Sequence, residues 1–147
     1  MTYSIKLPLP DGWTSEQDQY EEVQNAMITH LECQLKGPKG VEAAMDLYVG
    51  DMPDGTTAED EAFANYADMI GFEDDDEDEE NPIGKWKFQK KDAFGFSGML
   101  EDNSVLLVMC VEIRKGALLI ASVVATDDDG LSKWSKYLEE HLSVSQG

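Results

Sequence analysis

Positive charge is scarce in this chain. Of its 147 residues 11 are Lys or Arg against 31 Asp or Glu, a formal net charge of −20. A phosphate backbone would be repelled at every approach, so nucleic acid is not an expected partner. Histidine is scarcer still: His30 and His141 are the two imidazoles, and neither has a ligand-type neighbour four residues on, which argues against a zinc motif. Cys33 and Cys110 each fall inside an apolar alternating segment, where a free thiol behaves as a small buried hydrophobe. Neither their spacing nor their context suggests a disulfide framework, and a reducing cytoplasm is the expected compartment. Long apolar runs are also missing. The longest, Val105 to Val111 and Ala117 to Ala125, have strand length and fall short of the roughly 18 residues of a membrane span. Met1-Thr2-Tyr3-Ser4-Ile5-Lys6 has no basic region leading into an apolar stretch, so neither membrane insertion nor export is expected.

Catalytic signatures are absent as well. Gly95-Phe96-Ser97-Gly98-Met99 has the outline of a hydrolase nucleophile elbow, yet Met99 replaces the second glycine and no helix follows. Ser97 reads as a strand residue. Gly37-Pro38-Lys39-Gly40 lacks the length and the Lys-Ser/Thr ending of a phosphate loop, and a hairpin turn explains it. Carboxylates are too abundant for any pair to stand out as acid and base. The expectation is a protein that is not an enzyme and needs no cofactor; a carboxylate-dependent enzyme remains a remote alternative, requiring carboxylates that converge in an apolar pocket.

What is present is one domain's worth of patterned sequence, 41% hydrophobic and 9% aromatic, enough to close one core over residues 1–147. Tyr3 to Leu7 alternates and is stopped by Pro8 and Pro10, giving a short first strand before an Asp11-Gly12 turn. Met27, Thr29, Leu31, Cys33 and Leu35 form one alternate set, with His30, Glu32 and Gln34 on the other face. After the glycine-rich turn, Met45, Leu47 and Val49 resume the alternation and complete a hairpin. Thr57 with Asp60 three residues later caps a helix over 58–70, whose Ala62, Phe63, Tyr66, Ala67 and Ile70 recur at helical spacing. Trp86 and Phe88, then 94–100 broken by Gly95 and Gly98, then 105–113 and 117–125, read as an antiparallel meander. Asp127-Asp128-Asp129 opens a last helix with the stripe Leu131, Trp134, Leu138 and Leu142, where negative charge suits the positive end of the helix dipole.

Between the two halves run Glu73, Asp74, Asp75, Asp76, Glu77, Asp78, Glu79 and Glu80, eight acidic residues without interruption. Such a run cannot bury itself, and a mobile solvated loop over 73–82 is expected. It is also the candidate partner-binding segment, because it would attract a basic protein surface. Asp74, Asp75, Asp76 and Asp78 are candidate ligands for a hard cation such as calcium, but without the alternation and turn glycine of an EF-hand any binding there would be weak and unselective. Trp13, Trp86 and Trp134 are expected to fill core rather than line a ligand pocket.

An opening strand ending in Leu-Pro-Leu-Pro-Asp-Gly-Trp (residues 7–13), a hairpin, a mid-chain helix, four late strands and a closing helix together resemble the Mog/PsbP-like superfamily. The resemblance spans Tyr3 to Leu142. It implies an α+β fold, an antiparallel sheet of about six or seven strands with helices on its faces, and a non-enzymatic binding role of the adaptor, chaperone or accessory-subunit kind, as in cytoplasmic or lipid-anchored bacterial relatives. No functional residue carries over from that group, and the acidic run and missing signal peptide depart from its photosynthetic branch. The function expected is protein binding, with a weak divalent-cation-binding accessory protein as the alternative.

A surface this acidic repels itself near neutral pH, and salt screens that repulsion. The melting temperature should therefore rise between low and moderate salt. An unchanged or lowered midpoint in a thermal scan would remove the idea.

Overall fold

The computed structural model describes residues 3–21, 27–38, 40–52, 55–70, 83–100 and 103–146. In chain order the elements are β1 (Tyr3–Lys6), β2 (Trp13–Glu21), β3 (Met27–Gly37), β4 (Gly40–Asp51), α1 (Ala58–Ile70), β5 (Gly84–Phe88), β6 (Lys91–Met99), β7 (Val105–Arg114), β8 (Ala117–Ala125), α2 (Asp128–His141) and β9 (Ser143–Gln146). The fold is α+β. Seven strands form one antiparallel sheet in the order β2-β3-β4-β8-β7-β6-β5, and β1 pairs with β9 in a separate two-stranded ribbon. Two meanders, β2-β3-β4 and β5-β6-β7-β8, thus meet edge to edge at β4 and β8. No helix among the described residues is long and apolar enough to cross a membrane.

Alternation on the two central strands sorts side chains between two cores. On β4, Ala43, Met45, Leu47 and Val49 are buried towards one face, while Ala44, Asp46 and Tyr48 point to the other. Across the ladder Leu119, Ala121 and Val123 of β8 pair with Val49, Leu47 and Met45 and join the same core. That core is closed by α2 and by the β1–β9 ribbon, through Trp134, Leu138 and Leu142 and through Tyr3 and Ile5. Burying a side chain such as Leu47 or Leu119 contributes about 1.5–3 kcal/mol, and a one-residue slip would exchange these for Asp46 and Ser122. The register is therefore strongly fixed.

Each helix is held by its first residues. Thr57 Oγ1 accepts from the Asp60 amide and Asp60 Oδ2 accepts from the Thr57 amide, both at 3.1 Å, a reciprocal cap. Asp127 Oδ1 accepts from the Gly130 amide at 2.7 Å at the start of α2. The Trp134 stripe then meets Trp13 edge to face at a centroid distance of 4.7 Å. At the far end of α2 the β5–β6 turn is pinned: Gln89 and Lys90 both take positive φ, which only a tight hairpin turn rewards. Gln89 offsets that strain by donating from its amide to Glu139 Oε2 at 3.0 Å and from Nε2 to the carbonyls of Glu139 and Leu142 at 3.0 and 2.8 Å.

Three features differ from the sequence reading. Strand β2 was not anticipated, because Thr14, Ser15, Glu16, Gln17, Asp18 and Gln19 are exposed and carry no apolar alternation. Its hydrogen-bonded ladder with β3 holds it, and its glutamines hold β1: Gln17 Nε2 donates to the Ile5 carbonyl at 2.8 Å and Gln19 Nε2 to that of Tyr3 at 3.3 Å. Strand β1 does not enter the main sheet; Thr29, fully buried, donates to the Tyr3 carbonyl at 2.6 Å and fixes the ribbon across β3. Gly95 does not break β6. A Cβ there would come within 1.9 Å of the Val108 carbonyl oxygen and 2.9 Å of the Trp86 ring, so glycine lets β6 lie close under Trp86 and the strand continue. The 73–82 segment, expected as a loop, lies outside the described residues.

The two thiols are free and buried on opposite faces, Cys33 in the α2 core and Cys110 in the α1 core, so they cannot reach each other. Burial pushes both up to about 12, and burial together with a hydrogen bond from its hydroxyl to Asp51 pushes Tyr3 up to about 12. The folded state keeps protons that the unfolded chain releases from about pH 9 upward, so stability is full below that point and declines as pH climbs towards 12. Urea midpoints should fall across this window in the wild type and fall less steeply in a Cys33→Ala/Cys110→Ala variant. Equal slopes for the two proteins would contradict the assignment.

Candidate functional site on the open face of the sheet

The second face of the sheet is covered unevenly. Helix α1 lies over β6 and β7, where Ala58 and Ala62 pack with Phe96, Val108 and Cys110, and Tyr66 meets Phe96 edge to face at 5.2 Å. No described element crosses β2, β3 and β4 on this side. What remains open is read off the ladder as three cross-strand rows. Thr14, Gln34, Ala44 and Val124 form one, Glu16, Glu32, Asp46 and Ser122 the next, and Asp18, His30, Tyr48 and Ile120 the third.

The middle row sets like charges opposite one another on adjacent strands, twice over. Directly opposed like charges are destabilising, by a few tenths of a kcal/mol to about 1 kcal/mol each. Asp18 adds a fourth carboxylate, and no lysine or arginine stands in these rows. His30 is the one group here able to carry positive charge. Its ring lies parallel to Tyr48, 1° between planes at a centroid distance of 4.3 Å, and its Nε2 is 3.0 Å from Asp46 Oδ1. Gln34 Nε2 donates to Glu32 Oε1 at 3.1 Å and orients that carboxylate. One donor atom from each of His30, Glu32 and Asp46 lies within 4.8 Å of the other two.

Beside these rows a hollow of about 170 Å³ opens between the sheet and α1, lined by Ile28, Tyr48, Leu118 and Ile120 with Glu61 of α1 and with Asp51, whose Oδ1 accepts from the Tyr3 hydroxyl. Apolar walls beside an acidic side chain suit a lysine or arginine side chain, whose stem is apolar and whose head is charged. On the opposite face a groove of about 320 Å³ runs between α2 and the sheet, with Trp86, Leu107, Met109 and Val123 against Ser135 and Lys136. The groove gathers a single carboxylate, Glu139, already accepting from the Gln89 amide.

Of the residues singled out in the sequence, 73–80 lie outside the described part of the chain, Asp74, Asp75, Asp76 and Asp78 among them. Ser97 is exposed on β6, and His141 is exposed in the last turn of α2, its ring 4.2 Å from that of Tyr137. Trp134 is buried in the α2 core, and Trp13 and Trp86 are partly buried against the same core, as expected, Trp86 also lining the groove. The search for a ligand-type residue four positions from His30 missed its partners, because Glu32 is two residues away and Asp46 is supplied by the next strand. Part of the signal was available in the alternation: Cys33, Leu31, Met45 and Leu47 must share one face, which puts Glu32 and Asp46 together on the other, while their direct pairing depends on the register.

Comparison of the chain with known protein families, with curated proteins and with solved structures finds no match.

Proposed function

We propose that this chain is a non-enzymatic binding domain of adaptor or chaperone-like kind, which engages a basic surface of another protein through the open β2-β3-β4 face. The observation that carries the reading is the row Glu16-Glu32-Asp46, three carboxylates in register on adjacent strands with no lysine or arginine in the row. A binding surface tolerates such opposition when its partner supplies the missing charge. The neighbouring hollow, with apolar walls and Glu61 in its lining, has the chemistry to receive a Lys or Arg side chain. The eight carboxylates of 73–80 add to the same long-range attraction. The order of elements that resembles the Mog/PsbP-like group supports a binding role of this kind, and two buried free thiols suit a cytoplasmic setting.

A Lys/Arg-rich peptide titrated into the labelled protein is the direct test, read by amide chemical shifts. Perturbations should concentrate on Thr14 to Asp18, His30 to Gln34 and Asp46 to Tyr48, and should weaken with salt. Reversing one charge, Glu32→Lys or Glu16→Lys, should cost up to about 1 kcal/mol, roughly a fivefold loss of affinity. Shifts spread evenly over every acidic surface, or equal affinity for the reversed variants, would refute the reading.

A further inference from the structure

Carboxylates alone attract any cation loosely, whereas a nitrogen donor among them narrows the chemistry. His30 Nε2 and Asp46 Oδ1 are 3.0 Å apart, and a Glu32 oxygen completes a set whose members all lie within 4.8 Å of one another. Two ligands held about 2.1 Å from one ion at the tetrahedral angle stand about 3.4 Å apart. The His30–Asp46 pair is therefore close to binding distance already, and exposed Glu32, within 4.8 Å of both, has at most about 1.4 Å to close.

The donors are also held in place. Stacking on Tyr48 fixes the plane of the imidazole, hence the direction of its nitrogen lone pair. Gln34 orients Glu32 from behind, the role that outer hydrogen bonds play around bound metals. The rigid ladder of β3 and β4 fixes the backbone spacing of all three. Glu16 and Asp18 of β2 stand directly opposite Glu32 and His30, so an ion would meet two further carboxylates on the β2 side.

We propose that His30, Glu32 and Asp46 form a binding site for a divalent transition-metal ion of the Zn2+ class on the open face of the sheet. One imidazole and two carboxylates suit such an ion, while Ca2+ takes six to eight oxygens that three side chains do not supply. Three protein ligands leave a fourth tetrahedral position to solvent. The inference stands apart from the basic-partner reading, since the ion is tested on the isolated chain without any peptide.

Calorimetry of ZnCl2 titrated into the full chain at moderate salt tests it, with CaCl2 as the parallel probe. A saturable step of one Zn2+ per chain is expected, absent with CaCl2, and weakened at least about tenfold in His30→Gln and in Asp46→Asn. In the wild type the His30 ring signals should shift in proton NMR before those of His141, a readout that stands even if a variant fails to fold. A missing Zn2+ step, an equal step with CaCl2, an unchanged step in both variants, or His141 responding first would each overturn the proposal.

Discussion

Strand β4 meets strand β8 along nine consecutive residue pairs, from Ala43 with Ala125 to Asp51 with Ala117. The rest of the molecule is arranged around this seam. It joins two meanders that are otherwise separate, and its alternation decides which side chains enter the α2 core and which face α1 or solvent. Met45, Leu47, Val49, Leu119, Ala121 and Val123 all fall on the sealed side, with at most 1% exposure. A shift of one residue would bury Asp46 without a partner, a cost of several kcal/mol against which no local gain competes.

The same seam produces the asymmetry on which the functional reading rests. Two separate covers, α2 and the β1–β9 ribbon, close one face, while α1 lies over β6 and β7 on the other. The polar half of the β3–β4 alternation is thereby left on a rigid surface, and side chains that would repel one another in a core are displayed together. His30, Glu32 and Asp46 owe their proximity to the pairing of β3 with β4, and Glu32 among them is exposed. Rigid backbone beneath and open solvent above is the combination that recognition of a cation, whether a side chain or an ion, asks for.

Much of this was legible in the sequence. The hairpin, the four-strand meander, both helix starts and the Trp134-Leu138-Leu142 stripe were written in alternation, spacing and caps, because each buries a regular apolar set. Strand β2 was not, since an edge strand whose exposed residues are Thr, Ser, Glu, Gln and Asp has backbone pairing and no apolar pattern to declare it. The site was half legible. The turn that pairs Gly37 with Gly40 would by itself set Glu32 opposite Met45, mixing the two faces. The structure resolves the conflict with a bulge at Leu35/Lys36, after which His30 pairs with Tyr48 and Glu32 with Asp46. Alternation on both strands demanded that bulge, but nothing in the residues themselves marked its place.

Amide hydrogen exchange tests the central seam most directly, because it reports opening strand by strand. The amides of Met45 to Val49 and Leu119 to Val123 should be the last to exchange, with β2 and β5 at the sheet edges exchanging first. Exchange in β4 and β8 as fast as in β2 would contradict the account.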